Sequence, residues 1–201
     1  MGIIRLSSKY RRWMRDESFL EPLLYELDTP EKMLEYYEDF FHKRRIRMVQ
    51  KDCTKSKYSR VTTSRNNELQ LDCEFPSFSV RKKATLFAHE AVHYRQRDRF
   101  GPAKFELQYV ADARFRVAME GSAFRESMSA HRALGASDEW CRKYAERIPS
   151  HMKRIYFIPT LDYGNVKKHV ISSMLEELEH PWREPKKKPP LVRGIIVKNK
   201  G

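Results

Sequence analysis

The segment LFAHEAVHYRQ, residues 86–96, carries two histidines four positions apart, with a glutamate directly after the first. Residues four apart in an α-helix lie on the same face, so the spacing directs His89 and His93 to one point. Two imidazoles at this spacing can chelate one tetrahedral zinc ion. Glu90 lies about 100° around the helix, where its carboxylate can reach a zinc-bound water without being a ligand. The segment therefore predicts an HExxH zinc site with Glu90 as the general base.

The residues before this segment predict a strand that leads into the helix of the motif. Residues 68–75, ELQLDCEF, alternate strictly between apolar and polar side chains. This alternation predicts a half-buried strand that is antiparallel or lies at a sheet edge. Pro76 breaks the strand, and Ser79 can cap a helix that we predict from about residue 80 to residue 98, before Gly101 and a proline.

A catalytic zinc ion needs a third protein ligand. The metzincin continuation HExxHxxGxxH is absent, because Gln96 and Arg99 occupy the positions of its glycine and third histidine. The next helix, predicted from about residue 104 to residue 121, offers Asp112 and Glu120. Glu120 lies in AMEGSA, where a carboxylate is costly to bury unless it is paired or binds a cation, whereas Asp112 has arginines beside it as partners. We predict Glu120 as the third ligand, with Asp112 as the alternative.

Residues 68–127 resemble the small gluzincin metallopeptidases. In that family the active-site helix carries HExxH, often continued as HExxHxxQ, and the following helix carries a glutamate ligand in an ExxA context. The matching residues are His89, Glu90, His93, Gln96, Glu120 and Ala123. The resemblance implies a zincin-like α+β fold, mainly helical, with a small antiparallel sheet. Its edge strand precedes the active-site helix and pairs with an extended peptide substrate.

The implied activity is that of a zinc-dependent peptidase. His89, His93 and Glu120 hold the zinc, and Glu90 acts as general base on a zinc-bound water and then protonates the leaving amine. The sequence leaves the residue that stabilises the oxyanion open. The conceivable candidates are Tyr109, His131, Tyr144, His151 and Tyr163. A purely structural zinc site is disfavoured, because it needs a fourth ligand and no cysteine lies nearby in the sequence.

The charge of the chain supports a second hypothesis of a different class. The 201 residues carry a formal net charge of +13, and the basic residues are spread along the whole chain. Such a protein could be a basic structural or assembly protein that retains a metallopeptidase-like core and docks onto nucleic acid or a large assembly, for example a virus particle. The same charge could equally serve solubility alone.

The sequence also predicts where the protein resides. No segment is apolar enough to cross a membrane, and the N-terminus lacks the order of a secretory signal. Cys53, Cys73 and Cys141 are odd in number and far apart, which predicts free thiols in a reducing compartment. We therefore expect a cytoplasmic protein without a transmembrane segment. Association with a virion is the alternative location.

Composition and helical patterns divide the chain into three parts. Residues 1–50 are predicted to form an N-terminal helical extension, with a helix from residue 29 to residue 45. Residues 51–182 form the zincin-like core, which also includes helices around ASDEWCRKYAERI and VKKHVISSMLEELEH. Residues 183–201 are rich in proline and lysine and are predicted to form a basic arm.

Overall fold

Helices make up most of the described part of the chain, which comprises residues 26–51, 62–63, 67–156 and 163–179 of this computed structural model. The elements are α1 (Pro30–Lys43), β1 (Arg47–Gln50), β2 (Thr62–Thr63), β3 (Glu68–Leu71), α2 (Val80–Phe100), α3 (Pro102–Ala111), α4 (Ala113–Ala133), α5 (Asp138–Tyr156) and α6 (Tyr163–Glu179). This agrees with the prediction of a mainly helical protein with a small sheet.

The first described helix begins where the sequence predicts it. The Thr29 side chain accepts a hydrogen bond from the backbone N–H of Lys32 at 3.3 Å, and a proline occupies the first helical turn. The buried face of α1 packs on α2, where the Phe41 and Phe87 rings meet edge to face at 5.3 Å. The predicted division at residue 50 stays a prediction, although α1 and α2 contribute to one hydrophobic cluster.

The sheet differs from the predicted one. Its strand order is β1-β3-β2, so β3 is the central strand and not an edge. β1 pairs with β3 in parallel over four residues, and the two residues of β2 pair with it antiparallel. The prediction of an antiparallel sheet is therefore wrong for the longer pairing, and the prediction that the strand before the helix is an edge strand is wrong.

The strand before α2 is also shorter than predicted. It ends at Leu71 rather than at residue 75. The reason is that the carboxylate of Asp72 accepts a hydrogen bond from the backbone N–H of Glu74 at 2.8 Å, which turns the chain into a short 3₁₀ helix, Phe75–Ser77. The alternating apolar residues still face inward, since Leu69 and Phe75 are both buried.

The helix of the HExxH motif runs over 21 residues, two beyond the predicted end. The Ser79 side chain accepts from the backbone N–H of Lys82 at 3.3 Å and caps its first turn. Gly101, with φ of 80°, ends the helix, because only glycine adopts this backbone conformation without strain. The chain then enters α3 directly.

The single helix predicted from residue 104 to residue 121 is two helices. Asp112 separates them in an extended conformation, with φ of −115° and ψ of 103°. Its carboxylate accepts hydrogen bonds from the backbone N–H groups of Arg114 at 2.9 Å and Phe115 at 3.3 Å. This capping starts α4 afresh, and it interrupts an apolar pattern that reads as continuous in the sequence.

Two hydrophobic clusters hold the helices together, and α4 contributes to both. The first joins α1, β3, α2 and one face of α4, where its members include Phe41, Leu69, Phe87 and Ala123. The second joins α3, α5, α6 and another face of α4, where its members include Phe105, Met119, Ile148 and Val170. The HExxH face of α2 therefore meets α4 at the boundary between the clusters.

The cysteines differ from the prediction. Cys73 is disulfide-bonded, whereas Cys141 is a buried free cysteine. The prediction of three free thiols is therefore wrong for Cys73, and the cysteines give no support for a reducing compartment. Cys53 and the predicted basic arm lie outside the described residues. Among the described helices, none has the length and apolar character that a membrane crossing requires.

Candidate metal centre

Three polar side chains from two helices meet at the boundary between the hydrophobic clusters. His89 and His93 lie one turn apart on α2, and Glu120 lies on the facing side of α4. The Nε2 atoms of the histidines are 3.2 Å apart. Oε2 of Glu120 lies 3.4 Å from Nε2 of His89, and Oε1 lies 3.4 Å from Nε2 of His93. The structure thus brings the three predicted ligands together.

These separations fit the requirements of a tetrahedral ion. In a zinc site with bonds of about 2.0–2.1 Å to nitrogen and oxygen, neighbouring ligand atoms lie about 3.3–3.4 Å apart. The two Nε2 atoms are 3.2 Å apart and each lies 3.4 Å from a different oxygen of the Glu120 carboxylate, so the two imidazoles and the carboxylate group are spaced close to these values. Two imidazoles with one carboxylate also form a donor set that suits zinc and leaves a fourth position open. The residues therefore fit the ion that the motif implies.

A buried amide fixes the orientation of His93. The side-chain N–H groups of Gln96 donate to the carbonyl of Met119 at 3.0 Å and to Oγ of Ser122 at 2.6 Å. The carbonyl of Met119 can only accept, so the amide oxygen of Gln96 must face Nδ1 of His93, at 2.9 Å. Nδ1 therefore carries a proton and donates it. In the neutral ring, the lone pair then lies on Nε2, the atom that points at Glu120 and His89.

The carboxylate of Glu120 is almost fully enclosed, with 1% of the residue exposed. The hydroxyl of Tyr109, on α3, donates a hydrogen bond to its Oε1. Burial has the largest effect and raises the pKa of Glu120, but the charge of His93 and hydrogen bonds from both histidines outweigh it. Together they hold the pKa of Glu120 well below its usual range. Glu120 is therefore a carboxylate throughout the neutral range.

His93 responds to the same contacts in the opposite sense. Burial has the largest effect and lowers its pKa, but the charge and hydrogen bond of Glu120, the charge of Glu90 and the hydrogen bond of Gln96 raise the pKa to about 9. In the absence of a metal, a proton on His93 therefore neutralises Glu120. A cation that binds here displaces that proton, because both groups present their donor atoms to one point.

His89 is the most exposed of the three side chains. The His89 side chain is 12% exposed, whereas the His93 side chain is 8% and the Glu120 side chain 2% exposed. The Phe124 ring packs against His89 with centroids 4.6 Å apart, and His151 packs against Phe124 at 5.7 Å. The most exposed of the three side chains therefore lies beside an aromatic contact between α4 and α5.

The predicted general base lies next to this cluster in the chain but is not part of its donor set. Glu90 is buried, with 5% of the residue exposed. Its negative charge acts on the imidazole of His93. A carboxylate at this position can take up a proton close to the metal ligands without competing with them for the ion.

The remaining sequence candidates lie in different places. Asp112 caps α4 and is not in the cluster. Tyr109 donates to Glu120, a contact that sequence reasoning missed because it depends on the break between α3 and α4. His131 and Tyr144 pack together at 5.8 Å, and Tyr163 begins α6. His151 is the candidate whose ring contacts the aromatic neighbour of His89.

No protein-family model, no curated protein and no solved structure matches the chain. The functional argument therefore depends on the arrangement of these side chains.

Proposed function

We propose that this protein is a zinc-dependent metallopeptidase of the gluzincin type, with a zincin-like α+β fold. His89, His93 and Glu120 would hold the zinc ion. The observation that carries the proposal is the convergence of two imidazole nitrogens and one carboxylate group, with separations of 3.2–3.4 Å that are close to the spacing of a tetrahedral site. The HExxH order supports hydrolysis over storage of the metal, because it places a carboxylate directly beside the ligands.

The side chains divide the work of peptide hydrolysis between them. Bound zinc would polarise the scissile carbonyl and lower the pKa of water towards about 7. Glu90 takes the proton of the attacking water on its carboxylate and passes it to the amine that leaves. Gln96 holds His93 in the tautomer that presents Nε2, and Tyr109 restrains Glu120. Phe124 and the buried walls of α2 and α4 limit the access of bulk water.

The substrate class proposed is a peptide or an unfolded protein segment. Because both sides of β3 are paired within the sheet, we do not assign substrate binding to that strand. We place the approach of the substrate beside His89, because it is the most exposed of the three proposed ligands. Phe124 and His151 lie next to it. Intracellular location, and docking onto nucleic acid or a large assembly through the basic surface, remain separate predictions.

Metal analysis of the purified full-length protein tests the site. We expect one zinc ion per chain in the wild type and almost none in His89→Ala or Glu120→Ala. His42→Ala is the matched control, because His42 is an exposed histidine in the last turn of α1 and should leave zinc content unchanged. A wild-type protein that binds no zinc, or a His89→Ala variant that retains it, contradicts the proposal.

Hydrolysis is tested with a mixture of unstructured peptides, by mass-spectrometric detection of new termini. Glu90→Gln should lower the rate by about 100-fold or more while zinc content stays at the wild-type level. Glu139→Gln is the control, since Glu139 is exposed on α5 and pairs with Lys143. A zinc-loaded wild type that cleaves none of the peptides contradicts the peptidase activity but leaves the metal site in place. If the Glu90→Gln protein still docks onto nucleic acid or a large assembly, that result supports the assembly hypothesis.

A further inference from the structure

We infer that Tyr109 is a positioning residue of the metal centre, which engages Oε1 of Glu120 and leaves Oε2 as the one oxygen that this carboxylate offers to the ion. The inference depends on the proposed zinc site and extends it to a residue outside the HExxH…E pattern. It assigns to α3 a function that neither the motif nor the family resemblance includes.

The contacts of Glu120 distinguish its two oxygens. Oε2 lies 3.4 Å from Nε2 of His89, the more exposed of the two histidines. Oε1 lies 3.4 Å from Nε2 of His93 and also accepts the hydroxyl hydrogen of Tyr109. An oxygen that accepts a strong hydrogen bond donates less electron density to a metal, so the two oxygens are not equivalent as ligands.

This asymmetry matters for the number of ligands around the ion. A carboxylate that binds through both oxygens occupies an additional coordination position, and in a three-residue site that position belongs to water or substrate. By holding Oε1, Tyr109 favours binding through Oε2 alone. The contact therefore keeps a coordination position open, which a catalytic zinc site requires.

Contacts to its backbone and to its ring restrain Tyr109. The guanidinium of Arg116, on α4, donates to the carbonyl of Tyr109 at 2.9 Å and to that of Val110 at 3.3 Å. The Phe105 ring packs beside the Tyr109 ring at 5.6 Å. The last turn of α3 is thus tied to α4, the helix that carries Glu120.

The boundaries of α3 explain why a ten-residue helix can serve this purpose. Gly101, with positive φ, separates α3 from α2, and the extended Asp112 separates it from α4. The orientation of α3 is therefore set by its own contacts and is not inherited from either neighbour. Its outer face carries Leu107 and Val110, which are 70% and 67% exposed, so its inner contacts through Phe105 and Tyr109 determine its placement.

The test compares Tyr109→Phe with Tyr94→Phe in the full-length protein. Both changes remove one hydroxyl oxygen, but the Tyr94 hydroxyl is buried without a hydrogen-bond partner among the described residues. Zinc affinity is measured by competition with a chromophoric chelator. We expect Tyr109→Phe to bind zinc about 10-fold more weakly than the wild type and Tyr94→Phe to bind it equally well.

Cobalt(II) substitution gives a second readout that a merely structural role does not move. Four-coordinate Co²⁺ absorbs visible light much more strongly than five-coordinate Co²⁺, so binding through both oxygens of Glu120 lowers the absorption. We expect weaker visible bands in Tyr109→Phe and wild-type bands in Tyr94→Phe. Arg116→Gln, which leaves the hydroxyl in place but loosens the end of α3, should give a smaller loss of zinc affinity in the same direction.

The outcomes separate this inference from the proposed function. A wild type that binds neither zinc nor Co²⁺ overturns both. A wild type that binds them, with Tyr109→Phe equal to Tyr94→Phe in affinity and spectrum, overturns the inference and leaves the zinc site intact. An unchanged affinity and spectrum with a lower kcat also overturns it, because Tyr109 then acts on the substrate. If Tyr109→Phe does not fold, an Arg116→Gln variant with wild-type affinity overturns the inference.

Discussion

The amide of Gln96 joins His93 on α2 to the backbone of α4. Its oxygen accepts the Nδ1 proton of His93 at 2.9 Å, and its nitrogen donates to Met119 and Ser122. Gln96 is fully buried, so none of these groups has water as a substitute. The contact fixes the imidazole and fastens two helices with the same side chain.

This relationship predicts the effect of changing Gln96. Gln96→Glu keeps an acceptor for His93 but faces the carbonyl of Met119 with a second acceptor, and Gln96→Leu removes every polar contact. We expect either change to weaken zinc binding about 10- to 100-fold and to lower the free energy of unfolding by about 2 kcal/mol. Chelator competition and urea denaturation measure the two effects.

Gln50→Glu serves as the control for these variants, because the Gln50 side chain is exposed and donates to the carbonyl of Cys73 at 3.0 Å. It should leave zinc affinity unchanged. A Gln96→Leu protein with wild-type zinc affinity contradicts the orientation that we assign to His93.

Removal of zinc should lower thermal stability. The proposed ligands come from α2 and α4, so an ion at this site would bind the folded state and not the unfolded chain. At a free zinc concentration 100 times the Kd, binding adds about 2.7 kcal/mol to the free energy of unfolding. We expect EDTA to lower the Tm of the wild type and to leave that of His89→Ala unchanged, as measured by circular dichroism. If EDTA lowers the Tm of both proteins equally, the metal site is not the origin of the change in Tm.

Asp112 provides a test of ligand assignment. Its carboxylate caps α4 through the backbone N–H groups of Arg114 and Phe115. Asp112→Ala should therefore lower the free energy of unfolding by about 1 kcal/mol, whereas Asp112→Asn, which retains a capping oxygen, should change it little. Both should bind zinc like the wild type. Loss of zinc in Asp112→Asn points to Asp112 as the third ligand and contradicts Glu120.

His131 should make stability depend on pH. Burial, followed by the charge of Arg81, lowers its pKa to about 4, and its ring packs against Trp140 at 4.4 Å and Tyr144 at 5.8 Å. Since the unfolded chain takes up the proton near pH 6.5, stability is lost as the pH falls from about 6.5 to about 4. Partial exposure limits this loss to about 1–2 kcal/mol.

His131→Phe removes the titrating group while preserving an aromatic ring. The difference in the free energy of unfolding between pH 7 and pH 4.5, measured with urea, should be smaller in the variant than in the wild type. Carboxylates titrate in both proteins, so the comparison isolates the histidine. Equal pH dependence in the two proteins contradicts the assignment.

The three-residue cluster follows from local physical rules that the sequence displays. The spacing of His89 and His93 places them on the same face of any helix. A glutamate among small apolar residues is costly to bury unless its carboxylate is paired or binds a cation. Gln96 is part of the same local pattern, three residues after His93. These rules give the convergence of the side chains.

The sequence did not predict the features that depend on distant packing. Alternation in residues 68–75 reports which side chains face inward, but it says nothing about which strands lie on either side. The neighbours of β3 come from residues 47–50 and 62–63, so its central position depends on long-range pairing. The contact of Tyr109 with Glu120 likewise requires the break at Asp112, where a side-chain cap overrides a continuous apolar pattern.

The position of α4 between the two hydrophobic clusters has a consequence for how the protein unfolds. Ala123 belongs to the first cluster and Met119 to the second, so neither cluster can open fully without exposing α4. An ion held by His89 and Glu120 would add a link between α2 and α4. Amides of α2 and α4 should then exchange with solvent only in the same rare global opening, and a chelator should allow them to exchange through smaller, local openings.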